Sequence, residues 1–488
     1  MGTPRSRRYR IAVNRATLFL LLLAGCGLAP GGRGELASAV SPGEGAWSYE
    51  VTVAGDLARI DVTLALRGSP PPRLILGDAA GLPFIASSVA AWGSSTKTLV
   101  RDAEGFSLDG IGDGATVTYR VDLAGMVDGG PGTRVGRSFC ARPGLWLLRP
   151  QFPAAGASAS LVFHLADGVN ATVPWPARAD GSLRLDETSF RWRGFAAFGR
   201  LERHTIDVDG AKLHVAILDR PHAATWPGLE RWITAAARAQ SSLYGELPVQ
   251  HLQIVVKPVS SNQAVPFGET QRGGGRAVIL LVGDEAKDAD FERDWVAVHE
   301  FAHLGMPAIA DEDAWLSEGF IQYYTEVLMG RAGILDERGA WDELVAGFAR
   351  GAGGGTTRTL RDESATMALT HSYFRVYWGG AAIAFFLDVE LRRASSGTKS
   401  LDDAIRETRR AFAARLYEAT AAEIAAHLDA WHGRPLFTEI SSRHLASTDF
   451  PATAETLARL GVIIENGLVT GFDDAAPDAS IRRGIMGR

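Results

Sequence analysis

The stretch His299-Glu300-Phe301-Ala302-His303 sets two imidazoles four residues apart, with a carboxylate beside the first. On a helix that spacing turns both rings to one face, where they can share a single metal ion. Neutral imidazole nitrogens suit zinc, with bonds of about 2.0–2.1 Å. Glu300 then falls within reach of a zinc-bound water, as the general base that takes its proton. A metal that performs chemistry needs a third protein ligand and one open position. Trp315-Leu316-Ser317-Glu318-Gly319 offers the ligand. Glu318 lies among Trp315, Leu316, Phe320, Ile321, Tyr323 and Tyr324, and a carboxylate in that company must be paired or metal-bound. The expected donor set is His299, His303 and Glu318, holding one zinc ion per chain.

The elements that must position these residues follow from pattern and punctuation. A helix is predicted from about Phe291 to Leu304, with Asp290 as its N-cap and with Gly305 and Pro307 to stop it. A second helix is predicted from Ala314 to about Leu328, capped by Asp311 or Asp313. Only 14 residues separate His303 from Glu318, so the connection must be tight. Upstream, a strand pair (Thr205–Val208 and Leu213–Leu218), a helix Trp226–Tyr244 and a strand Leu252–Val256 are predicted. An irregular stretch ending in Gly273-Gly274-Gly275 then leads into an apolar strand, Arg276–Val282. Downstream the chain reads as mostly helical to about Leu445, with a short closure after Leu457. Between Trp47 and Arg203 the apolar residues alternate and Gly-rich turns recur, which predicts a β-sandwich-like domain without a catalytic constellation.

H-E-x-x-H followed by W-x-x-E-G resembles the gluzincin metallopeptidases. Tyr377-Trp378-Gly379-Gly380-Ala381, Leu387-Asp388-Val389-Glu390-Leu391-Arg392 and Ser400-Leu401-Asp402-Asp403 narrow the likeness. They are similar to the Y-Y-K-G-A, L-D-L-x-L-R and S-L-D-D runs of the glycyl aminopeptidase family, metallopeptidase family sixty-one. The likeness is specific from about Trp295 to Asp403. It implies an α+β multidomain chain: a β-rich N-terminal domain (46–204), a thermolysin-like catalytic domain with a mixed sheet and a zinc helix (205–330), and a helical C-terminal domain (331–488). It also implies that Tyr377 hydrogen-bonds the oxyanion of the reaction, a role for which Tyr373 and His371 compete. The family's G-G-L-E-H stretch, whose Glu holds the substrate's free amino group, is missing. In its region stands Phe267–Arg276, where Glu269 could substitute from another position while Gly275 or Arg276 falls nearer the expected place. Without that anchor, Arg276–Val282 as an edge strand could bind extended peptide, with Arg272 or Arg276 reading a carboxylate. No PDZ-like domain is evident after the helices.

Composition bounds the rest. Hydrophobic residues form 46% and charged residues 22%, which excludes disorder as the main state. The formal charge is −6, and residues 1–25 carry five arginines and no acid, so without them the charge is −11. Such an acidic chain does not fit a nucleic-acid binder. The basic start, the apolar run Ala16–Ala24 and the ending Leu23-Ala24-Gly25-Cys26 predict a signal peptide over 1–25 that resembles those of bacterial lipoproteins, with a diacylglycerol on Cys26. Residues 26–45 read as a flexible tether. Gly27 is not the Asp that commonly retains lipoproteins at an inner membrane, so an outer membrane is expected, facing the periplasm or the cell surface. Cys140 is left without a partner and is expected in a core. The combined expectation is a zinc-dependent peptidase of the cell envelope, anchored to the membrane by its lipid and acting on peptides or proteins. Two rivals stand beside it: an aminopeptidase that uses Glu269 to anchor the N-terminus, and a lipid-anchored binding or assembly protein with a vestigial site.

Overall fold

Strict alternation in the N-terminal third produces strands with one face on a core. The computed structural model of the protein describes residues 47–487, apart from 129, 154, 155, 192, 273, 354, 355, 414 and 416. The predicted signal peptide, the tether up to residue 45 and Cys26 therefore lie outside the described residues. Along Trp47–Val53 and Arg59–Leu66 every second side chain is buried, the period-2 signature of a strand. Both belong to a seven-stranded sheet, in the order Leu183–Leu185, Ala159–Leu165, Trp47–Val53, Arg59–Leu66, Thr116–Asp122, Ile85–Trp92, Ser95–Thr98. A three-stranded and a four-stranded sheet complete this region, and one apolar cluster from Trp47 to Phe198 fills it.

The chain then enters a five-stranded mixed sheet in the order Leu201–Val208, Ala211–Leu218, His251–Val259, Ala277–Gly283, Phe267–Gln271. Its first strand starts at Leu201, slightly ahead of the predicted domain boundary. The sheet is covered on both faces. Val278, Leu280 and Val282 join the core shared with the helices, whereas Ala277, Ile279 and Leu281 pack with Val135, Cys140 and Phe195 of the N-terminal region. Burial on both sides explains why this strand reads as an unbroken apolar run. It also corrects one expectation: Ala277–Gly283 is an interior strand, and the edge is Phe267–Gln271, inside the stretch predicted to be irregular. All five edge residues are half-buried, so no alternation marked them in the sequence.

The helix Trp226–Tyr244 forms as predicted, opened by Thr225, whose side chain accepts from the Gly228 N–H, and closed by Gly245 at φ 81°. Beyond Val296 the chain is largely helical, and those helices share a single core with the mixed sheet. The closure after Leu457 is a hairpin, Val462–Glu465 with Leu468–Phe472, followed by a helix, Ala479–Ile485. Among the described residues no helix is long and apolar enough to cross a membrane.

Candidate metal centre and active site

The histidines sit on a helix shorter than predicted, Val296–Ala302, continued by a 3-10 turn at His303–Gly305. The predicted cap, Asp290, instead accepts from the Lys287 N–H at 2.8 Å and closes a separate turn. Asp294 takes the capping role, accepting from the Val296 N–H at 2.9 Å. Gly305 does more than end the helix. A Cβ there would lie 2.1 Å from the Tyr244 hydroxyl, so only glycine lets the helix Trp226–Tyr244 pack this closely.

Glu318 stands on the helix Ala314–Arg331. Asp313 occupies the N-cap position but makes no capping bond to this helix. Ser364 acts in its stead: its Oγ accepts from the Trp315 N–H at 3.0 Å and donates to the Glu312 carbonyl at 2.8 Å. The short connection from His303 is pinned from two sides. Arg272 Nη1 donates to the carbonyls of His303 at 3.1 Å and Pro307 at 3.2 Å. The backbone around Ile309 pairs with Ala419.

Tyr377 comes from the helix Tyr373–Ala394, and two glycines bring it to Glu318. A Cβ on Gly319 would lie 2.4 Å from Gly380 Cα, and one on Gly380 would lie 1.9 Å from the Trp315 carbonyl oxygen. The helices therefore cross backbone to backbone, one residue beyond Glu318 and three beyond Tyr377. Asp388, fully buried, locks the crossing: it accepts from the Tyr323 hydroxyl, Arg392 Nε and the Leu401 N–H, each at 2.9 Å. Tyr324 and Arg331 likewise reach Asp402. The Leu387–Arg392 and Ser400–Asp403 runs thus hold the helices that carry the site.

At the centre, His299 Nε2 and His303 Nε2 lie 3.4 Å and 3.5 Å from Glu318 Oε2. A tetrahedron with metal–ligand bonds of about 2.0–2.1 Å has edges of about 3.3–3.4 Å. The three donors therefore fit around one zinc-sized ion, all lying within 4.8 Å of one another. The Thr325 hydroxyl is 3.1 Å from His299 Nδ1 and bonds the Ile321 carbonyl, which orients the ring. Burial alone would raise the Glu318 carboxyl, but His303 and His299 together hold it well below the usual range.

Glu300 is buried beside the ligands, and burial pushes its carboxyl up. The Thr270 hydroxyl shares its proton between the Glu300 carbonyl at 2.7 Å and Glu300 Oε2 at 2.9 Å. Gly268 leaves the room: a Cβ there would fall 2.5 Å from Glu300 Cγ. Tyr377 stacks on His299 at 6.3 Å between ring centroids. Burial first, then the Glu318 carboxylate, to which its hydroxyl is hydrogen-bonded, hold that phenol well above its ordinary value. Tyr373 is one contact further out, with its ring 6.5 Å from Tyr377, and the exposed His371 lies 6.0 Å beyond Tyr373.

The three residues expected to bind substrate take separate places. Glu269 Oε1 accepts from Arg142 at 2.7 Å and from the Gln271 amide. Arg272 directs its Nη1 to the carbonyls of His303 and Pro307, and burial lowers its guanidinium to about 10, still charged at neutral pH. Arg276 precedes an interior strand, on the side that Val278 and Leu280 turn to the helices. Burial, then the nearby Arg409, lowers its pKa. Cys140 is buried between the two sheets, where burial raises its thiol to about 11. Arg142, Thr270, Thr325 and Ser364 were not foreseen. Thr325 alone left a signal, standing seven residues after Glu318 on the same helical face.

No family model matches the chain, and no curated protein matches it. Solved structures do. An aminopeptidase N family protein from Idiomarina loihiensis matches over 86% of this chain and 79% of its own, with TM-score 0.69 and 16% identity. An M1 zinc metallopeptidase from Deinococcus radiodurans matches over 83% and 95%, with TM-score 0.53 and 16% identity. At such identity the likeness establishes the fold: a multidomain α+β architecture shared with M1 aminopeptidase N-type zinc metallopeptidases.

Proposed function

We propose that this protein is a zinc-dependent peptidase with Glu300 as its general base. The observation that carries the reading is the convergence of His299, His303 and Glu318 at tetrahedral spacing, with Glu300 and Tyr377 flanking them. Zinc bound there would polarise a scissile carbonyl and make a water more acidic. Glu300, with its raised carboxyl, takes the proton from the attacking water and passes it to the departing amine nitrogen. Thr270 keeps Glu300 aimed while it gains and loses that proton. Tyr377 turns its hydroxyl from Glu318 to the carbonyl oxygen as that oxygen gains negative charge.

Two finer points belong to the same reading. The Tyr377–Ala381 and Leu387–Arg392 runs support kinship with the glycyl aminopeptidase family, and the shared fold supports kinship with the M1 enzymes. The signal-like start with Cys26 supports a lipid anchor at a bacterial cell envelope. Labelled palmitate entering the wild-type chain but not Cys26→Ser would support the anchor, and equal labelling would refute it.

The peptidase is tested with the zinc-loaded protein on a mixed peptide library read by mass spectrometry. Cleavage that stops on chelation and returns with zinc is the expected result. Bound zinc without any cleavage would point instead to a binding protein on a peptidase scaffold.

A further inference from the structure

Two arginines sit at the end of the sheet face that carries Glu300, and neither is matched by an acid. Gly268 and Thr270 turn toward Glu300, and by alternation Arg272, two residues on, continues the same face. Arg276 returns on the other side of the glycine turn, directly before the Ala277 that pairs with Gln271. Three observations place the Arg272 guanidinium beside the metal centre. Its Nη1 donates to the carbonyl of His303, one of the three expected ligands, at 3.1 Å. The charges of Glu318 and Glu300 both act on it. Thr270, its neighbour on that face, holds Glu300 Oε2 at 2.9 Å. Both arginines are half-buried, and burial leads the causes that lower their pKa values. Among the described residues neither makes an ion pair, and Nε and Nη2 of Arg272 have no hydrogen-bond partner. Arg331, Arg392 and Arg482, also set in the interior, are matched by Asp402, Asp388 and Asp474. The nearby Arg193 has its own acid, Glu418, at 3.0 Å.

We propose that Arg272, backed by Arg276, receives a carboxylate of the bound peptide, so that the centre selects peptides with an acidic group about two residues from the scissile bond. The proposal rests on the peptidase reading of the same centre. A guanidinium withdrawn from water without a counter-ion is costly, and a substrate anion removes that cost. Arg272 turns Nη1 to the backbone, which leaves the Nε–Nη2 edge, the side that grips a carboxylate by two parallel bonds. Glu269, the one acid of the strand, lies on the opposite face with Arg142 and does not neutralise it. The outer side of Phe267–Gln271 has no neighbour in the sheet, so an extended peptide can pair along it. From Thr270 to Arg272 the strand advances about 6.6–6.8 Å, and a peptide laid beside it advances at the same step. A carbonyl held at Glu300 and a carboxylate held at Arg272 are therefore about two residues apart. The carboxylate can be an acidic side chain or the peptide's own C-terminus, and the two share the chemistry that Arg272 reads.

The test uses the zinc-loaded full chain and peptides made in matched forms: a free or an amidated C-terminus, and Glu or Gln at one internal position. Wild type is expected to cut the forms that carry a carboxylate at least about tenfold faster than the fully neutral form. A preference for the free C-terminus identifies the terminal carboxylate, and a preference for Glu over Gln in amidated peptides identifies the side chain. Arg272→Met should bring the ratio of acidic to neutral cleavage close to one. Arg276→Gln, at a position that pins no backbone, should lower the same ratio. Equal cutting of acidic and neutral forms by wild type would overturn the proposal. So would an unchanged ratio in Arg272→Met or, if that variant does not fold, in Arg272→Gln. No cleavage of any peptide would sink the peptidase reading itself. Binding of the same peptides, fluorescently labelled, to zinc-loaded Glu300→Gln then decides the inference separately by fluorescence anisotropy. Tighter binding of the acidic forms, lost on adding Arg272→Met, supports it, and equal binding refutes it.

Discussion

The centre and the edge strand beside it are built on opposite plans. His299, Glu300 and His303 are buried, and helices supply all three donors and Tyr377. Those helices cross at Gly319 and Gly380 with no room for a methyl group. The edge strand is half-buried at every position, and its acid is neutralised by an arginine 127 residues away in sequence. The centre is tightly packed, and His299 is fixed as well by the hydrogen bond behind it to Thr325. The edge is half-buried and polar, carrying Glu269, Thr270 and Gln271. The two regions therefore rest on different contacts, and substitutions should separate their effects.

The largest effect belongs to the centre. Glu318→Ala should lose zinc and all measurable hydrolysis, read by metal content and peptide turnover together. Full zinc in that variant would break the donor assignment. Tyr377→Phe should keep zinc and lower kcat by about 10²–10³-fold with KM little changed. A change in KM alone would move Tyr377 into substrate binding. Thr325→Val should weaken zinc affinity by about 10–100-fold, measured by competition with a chelator, because His299 loses the bond that orients it. Gly380→Ala should cost about 1–3 kcal/mol of stability in denaturant unfolding, since its methyl would meet the Trp315 carbonyl. If Gly380→Ala were as stable as wild type, the close crossing of the two helices would be wrong.

The same contrast decides what the sequence could reveal. His299, His303 and Glu318 were legible because helical spacing converts directly into geometry, and their apolar neighbours ruled out a solvated role for Glu318. The limits of Trp226–Tyr244 were legible because Thr225 and Gly245 mark its ends. The edge strand was not. Phe-Gly-Glu-Thr-Gln carries no apolar alternation, since one face meets Glu300 and the other meets Arg142. For the same reason the apolar run Ala277–Gly283 suggested an edge while occupying the interior, because nothing local distinguishes a strand covered on both faces by remote segments. Asp290 and Asp313 had the right type and place for helix caps, yet Asp294 and Ser364 hold those helix starts, the second through a contact 49 residues distant.

The central claim is that Glu300 moves the proton, and one measurement reaches it most directly. Wild type and Glu300→Gln would be brought to equal zinc content and their peptide hydrolysis rates compared. Glutamine keeps the shape and the place beside Thr270 but cannot take a proton. The mechanism predicts full zinc binding with the rate lowered by about 10²–10⁴-fold. A Glu300→Gln rate within a few-fold of wild type, at equal zinc, would contradict it.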